Sequence, residues 1–306
     1  MKTLLITISL FIAISSCAKK EEEDSTDTTS NSLFVAVGTN GTILTSSDTI
    51  TWNSRTTGTT NKLRAGIFEN NKLVVVGYSG TILTSTDGIT WTSRTSGTTN
   101  DLTNIAYGDS LYMAVGQSGT IVTSSDGIDW SLKNTGTSKT LWGVNYGNNI
   151  WVTNGDNGTI FTSTDTSTWD NRTSVSGTNA TFNHIIFGNN TFVALGSSGT
   201  ILTSSDGRNW TSQTSGTTNG LTAGSYGKNI FVVTGRSGTI LTSTDTSNWT
   251  LRSSGETNHI WGNTYGNNKF VAVGMFGIIL TSTDGKSWVS RSSGSSENFR
   301  RVFFKD

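Results

Sequence analysis

The chain has 306 residues, in which 21 lysines and arginines balance 21 aspartates and glutamates, so no general electrostatic field favours nucleic-acid binding. Its single cysteine excludes an internal disulfide, and with only two histidines it leaves little material for a His/Cys transition-metal site. An apolar fraction of 33% and a charged fraction of 14%, with 35 glycines and no proline, is the composition of short strands joined by many turns.

Residues 1–16 read as an export signal. Lys2 gives a positive start, and Leu4–Ile14 is an apolar run too short to span a bilayer as a mature helix. The run ends Ile14-Ser15-Ser16-Cys17, which resembles the lipobox of bacterial lipoproteins. That resemblance implies lipidation at Cys17 and a mature protein anchored to the bacterial outer membrane by its lipidated N-terminus, on the periplasmic or the surface side. Residues 17–32 then form a tether. Lys19-Lys20-Glu21-Glu22-Glu23-Asp24 and the Ser/Thr/Asp/Asn that follow carry no apolar content to pack, so this stretch is expected to be disordered. The Lys-then-acidic run also resembles the surface-export signal of some Bacteroidetes lipoproteins.

From residue 33 to residue 306 a single unit repeats. The stretch Gly80–Trp91, Gly-Thr-Ile-Leu-Thr-Ser-Thr-Asp-Gly-Ile-Thr-Trp, recurs with its Trp at Trp52, Trp91, Trp130, Trp169, Trp210, Trp249 and Trp288. A period near 40 residues marks a repeat architecture. In the second copy, Leu63–Phe68, Leu73–Val76, Thr81–Thr84 and Trp91–Thr95 read as four strands, which is one propeller blade. The first copy begins at Leu33 with the second kind of strand, and the missing first kind stands at the other end, Phe299–Phe304. The expected fold is therefore an all-β, seven-bladed β-propeller with four antiparallel strands per blade. Its last strand pairs with the N-terminal three and closes the ring, removing exposed edges.

Each turn between strands three and four carries Ser-x-Asp, with the carboxylates at Asp48, Asp87, Asp126, Asp165, Asp206, Asp245 and Asp284. These carboxylates are expected to accept backbone N–H bonds in the turn, and the following Gly to take a positive φ. Thr49, Thr166 and Thr246 stand where the other copies have Gly, so strain or another turn type is expected there. Each Trp is expected to bury its ring between blades.

These repeats resemble the Asp-box (BNR) repeats of sialidase-like propellers. The wording Phe-Val-Ala-Val-Gly-x-x-Gly-x-Ile-Leu-Thr-Ser-Thr-Asp-Gly is most similar to the photosystem II assembly and stability factor type. The resemblance spans Leu33 to Asp306, and departs from the usual Asp box by one residue missing between Asp and Trp. In the assembly-factor family, the resemblance implies, an arginine-rich patch serves partner binding.

There is no nucleophile elbow, phosphate loop or dinucleotide fingerprint, so no cofactor, metal or catalytic residue is expected. His184 stands in an inner-strand column otherwise filled by Ala, Asn, Gly and Arg, as a polar residue near the channel. The sialidase pattern requires an Arg-Ile-Pro motif, and the chain has no proline. Chain direction puts Asp101, Asp156, Glu256 and Glu297 on the face opposite the Asp turns, where Glu256 and Glu297, in loops of successive blade junctions, could pair as a glycosidase needs, though nothing in the sequence indicates it.

Most columns barely change between copies, including the core aromatic column Phe34, Leu73, Tyr112, Trp151, Phe192, Phe231 and Phe270. Two columns vary. One is the loop position Thr39, Tyr78, Gln117, Asp156, Ser197, Arg236 and Met275. The other is the second inner-strand position Arg64, Thr103, Trp142, Asn183, Thr222, Trp261 and Arg300. Such variation is either drift at solvent positions or a binding rim. Read as a rim, blades 7, 1 and 2 put Trp261, Met275, Phe276, Arg300, Arg301, Arg64 and Tyr78 on one arc, the residue types of interface hot spots. The expected function is non-catalytic binding of an unidentified envelope protein. The alternatives are a glycan-binding or glycosidase-like role at the same rim, or a display module without a pocket.

Overall fold

A computed structural model describes residues 32–173 and 177–306. The export signal, Cys17 and all but the last residue of the tether lie outside the described residues. Seven four-stranded antiparallel sheets are present, and no described helix is long and apolar enough to cross a membrane. The innermost strands are Phe299–Lys305 in blade 1, then Leu63–Glu69, Leu102–Gly108, Leu141–Gly147, Phe182–Gly188, Leu221–Gly227 and Ile260–Gly266 in blades 2 to 7. In blade 1 the C-terminal strand pairs antiparallel with Leu33–Gly38, with Phe34 opposite Phe304, so the expected ring closure is present.

The second strand of each blade is apolar without alternation, and the packing shows why. Leu73 and Val75 face a cluster shared with blade 1, whereas Val74 and Val76 face one shared with blade 3. Both faces of a blade are therefore buried, and an unbroken apolar run replaces the usual period of two. Seven such interblade clusters complete the ring, and each takes its Trp from the Asp turn of one contributing blade. The aromatic column is core throughout, and Trp151 is 1% exposed.

The Asp turn works as the sequence suggests. In blade 2, Ile89 N–H and Thr90 N–H donate to Asp87 Oδ1 at 2.8 and 2.9 Å, and Gly88 N–H donates to Ser85 Oγ at 2.8 Å. Those backbone donors hold the Asp87 carboxyl down at about 2. The three threonine copies keep the same turn type, with φ of 70, 62 and 64° at Thr49, Thr166 and Thr246. A β-branched residue is strained there. The first three strands of blade 2 lie within a residue of expectation at each end, and the fourth is shorter, Thr92–Arg94, so Trp91 belongs to the turn.

Candidate functional site

The variable inner-strand column has a structural identity that the sequence did not show. In every blade the register between strands one and two slips at this position: Leu63 pairs with Gly77 and Ala65 with Val76, leaving Arg64 unpaired between them. The same slip isolates Thr103, Trp142, Asn183, Thr222, Trp261 and Arg300. Each is the extra residue of a β-bulge, a device that re-aims a side chain, here toward the mouth of the central channel.

Side-chain size then divides the column. The small polar members tie neighbouring inner strands together. Thr103 donates to Leu141 O at 2.6 Å, Asn183 to Leu221 O at 2.8 Å and Thr222 to Ile260 O at 2.7 Å. The four large members pair with one another instead. Arg300 lies over the Trp261 ring at 3.6 Å from its centroid, and Arg64 over Trp142 at 5.3 Å, reaching past blade 3 to blade 4. Trp142 is in turn oriented by donating its indole N–H to Asp156 Oδ1 at 2.7 Å.

Below the mouth the channel is filled. Arg301 donates to Trp261 O at 2.5 Å and Thr222 O at 3.2 Å from one terminal nitrogen. Gly262 makes room for it, since a Cβ there would lie 2.7 Å from Arg301 Cα. His184 is buried across from it and accepts Gly224 N–H on Nδ1 at 3.2 Å. Burial, then the charge of Arg301, holds His184 well below its ordinary value, so it is the neutral imidazole.

Above this floor opens a cavity of about 810 Å³, lined by Arg64, Arg236, Arg300, Arg301, Trp142, Trp261, His259 and Asp156 among others. Four arginines face a single carboxylate. Among the described residues the one ion pair is Arg172–Asp170, at the outer strand of blade 4 and outside the cavity lining, so no arginine of the cavity is in an ion pair. Burial, followed by the neighbouring Arg64, lowers Arg300 to about 10; burial, then Arg64 and Arg300, lowers Arg301 to about 9. His259 is lowered by burial and then by Arg236 and Arg300.

Of the arc expected from the sequence, Arg64, Trp261, Arg300 and Arg301 line this cavity, whereas Tyr78, Met275 and Phe276 do not. Tyr78 lies under Lys62, 4.6 Å from its ring centroid, and Phe276 projects outward, 61% exposed. Trp142, Asp156 and Arg236 complete the site from blades 4 and 6, outside the arc, with His259 from the entry to the inner strand of blade 7. The signal for three of them was present: Trp142 stands in the variable inner-strand column, and Asp156 and Arg236 in the variable loop column. Two of the other face carboxylates tie the loop before the inner strand to the loop between strands two and three. Asp101 accepts Ser79 N–H at 2.9 Å, and Glu297 is held by Thr39 at 2.5 Å and by Asn40.

Residues 132–259 match the family of the DUF6242 beta propeller domain. No curated protein matches the chain. Among solved structures, YCF48 bound to a D1 peptide is similar at a TM-score of 0.63 and 16% identity, over 79% of this chain and 85% of that one. YCF48 from Cyanidioschyzon merolae gives 0.61 and 18%, over 77% and 86%. The computationally designed Ika8 protein gives 0.56 and 16%, over 87% and 82%. The chain is thus a β-propeller similar to the photosystem II assembly factor type, which fixes its fold and leaves its ligand to the site itself.

Proposed function

We propose that this propeller is a non-catalytic docking protein that binds a protein partner through the mouth of its central channel, and that lipidation at Cys17 anchors it in the bacterial envelope. The observation that carries the reading is the cavity of arginines and indoles with no neutralising partner, open on one face. Arginine and tryptophan dominate the energetics of protein interfaces when they are held in place, and here each is fixed by the other. The solved complex of YCF48 with a D1 peptide supports a peptide-binding role for a propeller of this shape. Stacked arginines occupy one face of each of Trp142 and Trp261, which favours a protein partner over a stacked sugar.

The test is crosslinking capture from the native envelope, comparing the wild type with an Arg64→Ala/Arg300→Ala variant of unchanged melting temperature. The expected outcome is a protein captured by the wild type and lost with the variant. Equal recovery from both would refute docking at this mouth. A lipid-modified N-terminal fragment in mass spectrometry is expected from the same preparation, and an unmodified Cys17 would refute the anchor.

A further inference from the structure

The arginines of the mouth are an incomplete arrangement. Arg64 and Arg300 make no side-chain hydrogen bond to any described residue, and the Nε atoms of Arg64, Arg300 and Arg301 are all buried without a partner. Burying cations near each other with no counter-charge is costly, and a folded protein rarely leaves such a cluster unsatisfied. Among the described residues no carboxylate forms an ion pair with these arginines, and Asp101 attracts Arg64 only from beyond ion-pair distance. Asp156 is committed to the Trp142 indole and Asp101 to the Ser79 backbone.

The geometry of the stacking says which ligand group is missing. Arg300 lies over one indole at 3.6 Å, the separation of stacked planes, and Arg64 over another at 5.3 Å. A guanidinium held over a ring keeps its in-plane N–H donors for other partners, and those donors match the paired oxygens of a carboxylate or phosphate. The indoles also restrict the arginine rotamers, so less entropy is lost when the donors are engaged. Arg301 adds a third charge from the floor, held in place by carbonyl oxygens that do not cancel it.

We infer that the channel mouth is an oxyanion site, in which Arg64 and Arg300 clasp a carboxylate or phosphate group of the ligand above Arg301. The inference rests on the docking reading above and names the chemistry by which that site selects what it binds.

Sodium phosphate and sodium glutarate, each titrated at constant ionic strength against the purified protein, test it. Tryptophan fluorescence and melting temperature are the readouts, and Trp142→Phe and Trp261→Phe assign the fluorescence change. The expected result is a saturable signal for at least one probe, weakened tenfold or more by Arg64→Gln and by Arg300→Gln in variants whose own melting temperature is near that of the wild type. No saturation by either anion, or saturation unchanged in both variants, would overturn the inference.

Repeating the envelope capture with the binding anion present separates the two sources of such a group. Loss of capture assigns the oxyanion to the protein partner, and undiminished capture with the anion bound assigns it to a free small molecule; both uphold the site. If the variants lose the partner but neither anion titrates, docking stands and the oxyanion site falls.

Discussion

The guanidinium carbon of Arg300 stands 3.6 Å from the centre of the Trp261 indole, joining the last strand of the chain to the inner strand of blade 7. We predict that this contact has a measurable coupling energy. A double-mutant cycle with Arg300→Met and Trp261→Leu should give about 0.5–2 kcal/mol in urea unfolding. A coupling within error of zero would show that the two side chains are merely adjacent.

Thr166 adopts φ of 62° where four other Asp turns use glycine. A left-handed conformation costs an ordinary residue roughly 1–2 kcal/mol, against about 0.5–1 kcal/mol of added chain entropy for glycine. Thr166→Gly should therefore stabilise the protein, by about 0.5–1 kcal/mol in equilibrium unfolding. The reverse change, Gly207→Thr, should destabilise, because a Cβ there would meet Val152 Cγ2 at 2.9 Å.

His184 gives the fold a pH dependence. Its imidazole is held neutral when folded, so below the ordinary value of 6.5 the unfolded chain takes up the proton more readily. Stability should then fall as pH drops through 6.5, by at most about 1.4 kcal/mol per pH unit from this group. Arg301 is the charge facing it. Melting temperatures from pH 7.5 to 5 should show the decline in the wild type and a flatter profile in His184→Ala, a residue the column already accepts at Ala65 and Ala223.

Ending the chain at Asn298 removes the inner strand of blade 1 and opens the cluster under Phe34, Ala36 and Val302. We expect no cooperative unfolding transition from such a chain. A near-native transition by circular dichroism would show that the ring tolerates an open blade.

The repeat made much of this legible. Seven copies of one turn identify the blades, and the aromatic column at Phe34 through Phe270 reads as core because each copy must pack against the next. The site was less legible, for two physical reasons. A β-bulge leaves no mark in hydrophobic patterning, since the bulged residue is simply one more variable position, so nothing in the sequence says that Arg64 and Trp142 point into the same opening. Their pairing also depends on the channel's width, which long side chains can cross; sequence adjacency of blades 7, 1 and 2 was therefore a poor guide to proximity, and it included Phe276 while omitting Trp142. Arg301 shows the same limit. As one residue of a charged pair it read as rim, whereas strand alternation turns it inward to become the floor.

The strand Phe299–Lys305 both completes the first blade and supplies Arg300 and Arg301. The proposed site and topological completion thus share the same seven residues. A chain without this strand loses Arg300 and Arg301 together with the closure of the ring. Removing the strand would therefore remove the proposed site and the closure of the ring in one step.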